Sequence, residues 1–302
     1  MTLDRPFFGM LLMLGFCTLA PMGDAIAKIL GGTIPIIQLL LVRFAAQVIL
    51  LLPILWLKGA SLTMDRRILR LTFIRTLLHM AGIGAMFTSL IYLPLADAIA
   101  IAFVMPFIVL LLGKTFMNEQ VGTRRIVACA VGFIGTLFVI QPSFVTVGAP
   151  ALLPLFVAVV FALFMLVTRQ MAKVVDPIAL QAVSGFMATP ILLLTIVFSY
   201  YAFPQKLVLV MPSQSEWGLL IAIGILGTFA HLLMTWSLRF APSATLAPMQ
   251  YLEIPVATAI GWLIFSDLPN GLAAFGILIT VTAGLYIIYR EHQAAQPAPP
   301  AV

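Results

Sequence analysis

Charge is what this chain has least of. Only 9% of its 302 residues are Asp, Glu, Lys or Arg, against roughly a quarter in an ordinary soluble domain. Too little polar surface remains to clothe a soluble globule, so an integral membrane class is expected. Cysteine is nearly absent as well. Cys17 and Cys129 both fall in apolar runs, which excludes a disulfide framework or cysteine metal cluster and leaves them as small buried hydrophobes. Catalytic signatures are missing: there is no H-E-x-x-H, no G-x-S-x-G and no glycine-rich phosphate loop with lysine. No enzyme, metal or cofactor is expected. The N-terminus does not read as a cleaved signal, because the apolar run from Phe7 to about Leu30 exceeds an h-region and Asp4 stands beside Arg5.

What is abundant is apolar: 63% of residues are hydrophobic and the mean hydropathy is +1.16. About 20 apolar residues cross a bilayer. By that measure ten spans are expected: Phe7–Ile29, Ile36–Leu57, Leu71–Leu93, Ala96–Met117, Arg125–Gln141, Ala151–Met171, Ile178–Tyr201, Trp217–Phe240, Ser243–Phe265 and Leu272–Tyr289. The connections are short, and the Ala/Pro-rich tail 291–302 is expected to be disordered. With the N-terminus inside, twelve of the sixteen basic residues fall on the cytoplasmic side, from Arg5 through the Lys58–Arg70 cluster to Arg290. Lys28 and Lys206 fall outside, while Arg43 and Arg75 lie within or at the edge of spans. Both termini are therefore read as cytoplasmic. The same placement explains the net charge of +6 without nucleic acid.

Ten spans invite a search for repeats. Shifting the fourth and fifth spans by 149 places Ala98 on Ala247, Pro106 on Pro255, Gly122 on Gly271 and Gly135 on Gly284. Five spans per repeat is odd, so the second copy, 147–290, would lie upside down relative to the first, 1–146. Inverted repeats with helices interrupted at matching places, here Pro106 and Pro255, are the pattern of secondary transporters with a site near the midplane.

The polar residues inside spans are candidates for that site, because each is costly in hydrocarbon. Glu253 lies mid-span and shares a helical face with Gln250, Ala257 and Gly261, whereas Tyr251 points roughly the other way. Glu253 has three candidate roles: ion partner of Arg43, proton carrier, or direct cargo ligand. The matching first-half positions are Ile101 and Val104, so the acidic side of the site is expected from the second half alone. Arg43 lies roughly 12 Å into the second span with Gln47 one turn on; it reads as a tether or as the captor of an anionic group. Asp24 and Lys28, four apart, read as a snorkelling pair, an outer gate or a substrate contact. Arg75, judged shallow, extends the cytoplasmic basic cluster. His79, one turn deeper, suits packing or a proton step, and His231 reads the same way. The stripes of alanine and glycine read as close helix packing.

Several stretches carry a family resemblance over essentially the whole length. They are VRFAAQ around Arg43, IYLPLADAIAIAFVMPF, FMNE ending at Glu119, TLAPMQYLEIPVATAIGWLIFSD and GILITVTAGLYIIYRE. The chain resembles EamA-type members of the drug/metabolite transporter superfamily. One departure is that the spacing from Pro255 to Asp267 is twelve, against thirteen from Pro106 to Glu119, which puts the role of Asp267 in doubt. The resemblance implies an all-α fold of two inverted five-helix repeats and secondary transport of a small molecule without ATP. It is most similar to bacterial riboflavin importers, so riboflavin uptake across the inner membrane is the leading expectation. S-adenosylmethionine import, export of amino acids or other metabolites, and a receptor without flux are the alternatives. Partners expected are a small-molecule cargo, the lipid bilayer and a coupling proton, for a monomer or homodimer.

Overall fold

A computed structural model of the chain describes residues 5–59, 64–117, 122–202 and 209–294. Among these, every regular element is helical: α1 Pro6–Leu30, α2 Ile36–Leu57, α3 Arg66–Leu90, α4 Leu95–Ala102, α5 Met105–Phe116, α6 Thr123–Val147, α7 Leu153–Ala172, α8 Pro177–Ala202, α9 Gln214–Phe240, α10 Ser243–Leu246, α11 Glu253–Phe265 and α12 Gly271–Ala294. Short 3-10 turns, Ala149–Leu152 and Ala247–Leu252, precede α7 and α11. Eight segments are long and apolar enough to cross a bilayer, with α4 and α5 counted together. Glu119 and Lys206 lie outside the described residues, as does 295–302; the expected disordered tail is corrected at its start, where α12 continues to Ala294.

Helix starts follow from local chemistry. The Asp65 carboxylate accepts from the Ile68 amide at 2.7 Å, so α3 begins before the apolar run does. Ser213 and Glu216 form a reciprocal capping box on α9, and Thr33 donates to Glu216 at 2.6 Å, tying the α1–α2 turn to that cap. Asn270 caps α12 through the Ala273 amide at 2.9 Å.

Two long segments are broken. The fourth apolar run yields at Phe103 and Val104, and Pro106 then sits in the first turn of α5. The ninth yields over Ala247–Leu252, and Pro255 sits in the first turn of α11. A first turn has no use for the proline's missing N–H, so each proline starts a helix after a break and does not kink one.

The dominant packing pairs α1 with α9, α3 with α7, α2 with α8 and α6 with α12, and α4 meets α11. Glycine sets the closest of these approaches. A Cβ on Gly135 would stand 2.7 Å from the Gly276 carbonyl, and one on Gly276 would press into the Gly135 backbone and come 2.9 Å from Phe138 Cβ. Backbone cannot step aside as a side chain does. Gly276→Ala is therefore expected to cost about 1–3 kcal/mol, as overpacking does. The check is the melting temperature of the purified protein in detergent; an unchanged value would mean that α6 and α12 separate freely.

Candidate functional site

Between the helices lies a cavity of about 710 Å³. It is drawn from α1, α2, α3, α4, α5, α7, α9 and α11, and both helix breaks reach it, through Phe103 and Glu253. Most of the wall is apolar, with Phe16, Phe87, Phe103 and Phe161 among it. Four polar side chains interrupt that wall: Asp24, Arg43, His231 and Glu253.

Arg43 is 5% exposed, and its Nη2 lies 3.0 Å from His231 Nδ1. The same imidazole nitrogen is 3.1 Å from the Gly227 carbonyl. Gly227 is also what makes room for the guanidinium, since a Cβ there would come 2.9 Å from Arg43 Cζ and 3.0 Å from Nη2. Asp24 is 9% and Glu253 8% exposed. Among the described residues neither carboxylate has a hydrogen-bond partner or a cationic nitrogen within 4.0 Å. Two buried carboxylates without partners are expensive, and both face the cavity.

Several expectations are corrected by this arrangement. The acidic side does not come from the second half alone, because Asp24 of α1 lines the same cavity as Glu253. Asp24 and Lys28 are not a pair. Lys28 Nζ donates to the Leu93 carbonyl at 2.6 Å, lies 3.8 Å from Asp267 and sits over the Phe265 ring at 5.3 Å. That bridge also gives Asp267 a structural partner, reached through Ser266 in the left-handed conformation at φ 56°. Tyr251 lies away from the cavity. Its ring fills the space over Gly132, its hydroxyl is 3.5 Å from the Cys129 carbonyl, and Phe103 flanks it at 5.7 Å. Gln250 is fully buried with both amide atoms unpartnered and does not line the cavity. His79 lies one layer behind, its ring 4.3 Å from that of His231 and 4.7 Å from that of Phe164, with both nitrogens unpartnered.

Arg75 does not simply extend an exposed basic cluster, because its side chain is fully buried in the bundle. Its Nε donates to Thr168 at 2.9 Å, Nη1 to Ser184 at 2.9 Å, and Nη2 to Gln181 at 2.7 Å and Thr235 at 3.3 Å. The guanidinium lies over Phe164 at 4.6 Å. Gln181 in turn bonds Gln47 through side chain and carbonyl, so α2, α3, α7, α8 and α9 are tied in one polar knot. His231 and Gly227 are the cavity residues that the sequence did not single out as cargo contacts. His231 is visible as an intramembrane histidine, but nothing distinguishes Gly227 from other glycines.

A multi-pass helical membrane protein with a charged central cavity and two interrupted helices is the class these features define. The chain matches the EamA-like transporter family over residues 7–141 and again over 149–290, and it belongs to that family. It is 24% identical to a riboflavin transporter of Brucella anthropi over 88% of this chain and 92% of that one. It is 25% identical to an S-adenosylmethionine uptake transporter of Rickettsia felis, over 90% and 89% of the two chains. A pseudopaline exporter of Pseudomonas aeruginosa is 26% identical over 85% and 88%. A solved crystal structure superposes with a TM-score of 0.71 at 18% identity, covering 96% of this chain and 98% of its own, and shares the fold.

Proposed function

We propose that the protein is a secondary transporter that carries a small organic metabolite across the bacterial inner membrane by alternating access, with the central cavity as its cargo site. The observation that carries this reading is a cavity, walled by both family repeats, into which two helix breaks and four polar side chains converge. A receptor or structural subunit has no need to bury unpartnered carboxylates at that depth.

The finer architecture proposed is ten membrane crossings in two inverted repeats, 1–146 and 147–290, with both termini cytoplasmic. Packing supports it. Taking α4 with α5 and α10 with α11 as single crossings, exchange of the two halves turns the α1–α9 pair into the α3–α7 pair. The same exchange maps α2–α8, α6–α12 and α4–α11 onto themselves. A pseudo-two-fold between the halves is what lets one cavity open to either side in turn.

Riboflavin, S-adenosylmethionine and an exported metabolite are the cargoes that the relatives' names bring forward. The phenylalanine wall suits the flat ring of the first, and the paired acids suit the positive charge of the second. Liposomes holding the purified protein should accumulate at least one labelled cargo saturably, without ATP. Flux of none, from protein shown to be folded by its melting transition, would overturn the transport reading. Loading the cargo on either side then assigns direction.

A further inference from the structure

We infer that the cargo is charged in both senses, with its anionic group received by Arg43 and His231 and its cationic group by Asp24 and Glu253. This rests on the transport reading above and narrows it from any small metabolite to a zwitterionic one.

The contrast among buried charges within this one molecule carries the inference. Where a cation has a structural task the fold satisfies it internally. Arg75 is encircled by four side-chain oxygens and an aromatic face, and Lys28 holds a carbonyl and the Asp267 carboxylate. The cavity charges are treated otherwise. Arg43 lies over the Phe44 ring at 5.8 Å but has one hydrogen-bonding neighbour, the His231 imidazole, and no carboxylate within 4.0 Å among the described residues. Asp24 and Glu253 accept no hydrogen bond from any described residue. All three nevertheless line the same space.

Had these groups been selected to stabilise the bundle, the acids and the arginine would be expected in direct contact, since a buried charge is tolerable only when paired and hydrogen-bonded. They are instead held apart around an opening. A neutral ring cargo such as riboflavin could donate hydrogen bonds to the acids but would bring neither an anion to Arg43 nor a cation to the carboxylates. A cargo with one carboxylate and one cationic centre compensates both sides at once.

The test uses the full chain in liposomes and in detergent, with three labelled probes: S-adenosylmethionine, methionine and riboflavin. Binding and flux are read separately. The expected result is saturable binding of at least one of the two zwitterions. Asp24→Asn and Glu253→Gln should each weaken it at least tenfold, as should Arg43→Gln, with melting transitions retained. Riboflavin bound and carried equally well by all three variants, with neither zwitterion bound, would overturn the inference and leave the transport reading standing. Zwitterion binding with the expected variant losses but no flux would support the charge assignment while sinking transport. Binding of none of the three probes by folded protein overturns the charge assignment.

Discussion

Arg75→Ala is expected to unfold the bundle at markedly lower temperature and to lose transport only in proportion to the folded protein lost. Four side-chain oxygens, on Thr168, Gln181, Ser184 and Thr235, would lose their donor in a region that water does not reach. Each unsatisfied buried polar group costs about 1–3 kcal/mol, and the vacated side-chain volume adds to that. The hydroxyls soften the loss. Thr168 also donates to the Phe164 carbonyl, Thr235 to the His231 carbonyl, and Thr76 and Ser184 bond one another at 2.6 Å. A net cost of about 3 kcal/mol is a reasonable magnitude, a large share of what a typical fold retains. Arg75→Met fills the volume without the donors and so separates packing from hydrogen bonding. Melting curves beside flux per folded molecule provide the check. An unchanged melting transition with abolished flux would move Arg75 from the scaffold to the cargo path.

Much of this molecule was legible from cost alone. A bilayer penalises charge, so Arg43 and Glu253 declared themselves as residues needing a reason, and both line the cavity. The prolines at 106 and 255 were read as interruptions and each does stand just after a helix break, but proline alone is not the signal, since Pro21, Pro53 and Pro190 stand inside continuous helices. What helical spacing does not reveal is which helix packs opposite. Asp24 and Lys28 share a face of α1, yet one turn of rise is enough for Asp24 to meet the cavity and Lys28 to meet Asp267 across the bundle. Arg43 and Arg75 look alike as lone guanidiniums in apolar runs. Only the apposition of α3 with α7, α8 and α9 supplies Arg75 with its oxygens. Tyr251 is adjacent in sequence to Gln250 and two residues from Glu253, but the missing side chain of Gly132 on α6 draws its ring away. Gly227 left no trace at all, since its importance lies in what it lacks.

That glycine gives the sharpest separation of site from scaffold. Gly227→Ala places a methyl group against the Arg43 guanidinium, whose atoms are its three nearest neighbours. The obstacle is the far end of a long, flexible side chain and not backbone, so the helices need not move and the fold should survive within a few degrees of its normal melting temperature. The guanidinium, however, must swing off His231 and out of its place on the cavity wall. Losing one partner of a buried, hydrogen-bonded charged contact costs about 2–5 kcal/mol in recognition, so cargo binding should weaken on the order of a hundredfold. Gly224→Ala is the matching control on the same helix. Its Cβ would stand 2.5 Å from Ala46 Cβ, where α9 packs on α2 and a short side chain cannot swing away. That variant is expected to lose stability, whereas Gly227→Ala loses affinity. Measured together by melting and by equilibrium binding, the two should part along those lines. If Gly227→Ala bound cargo normally, Arg43 could not be a cargo contact, and the cavity's positive side would have to be reassigned to His231 alone.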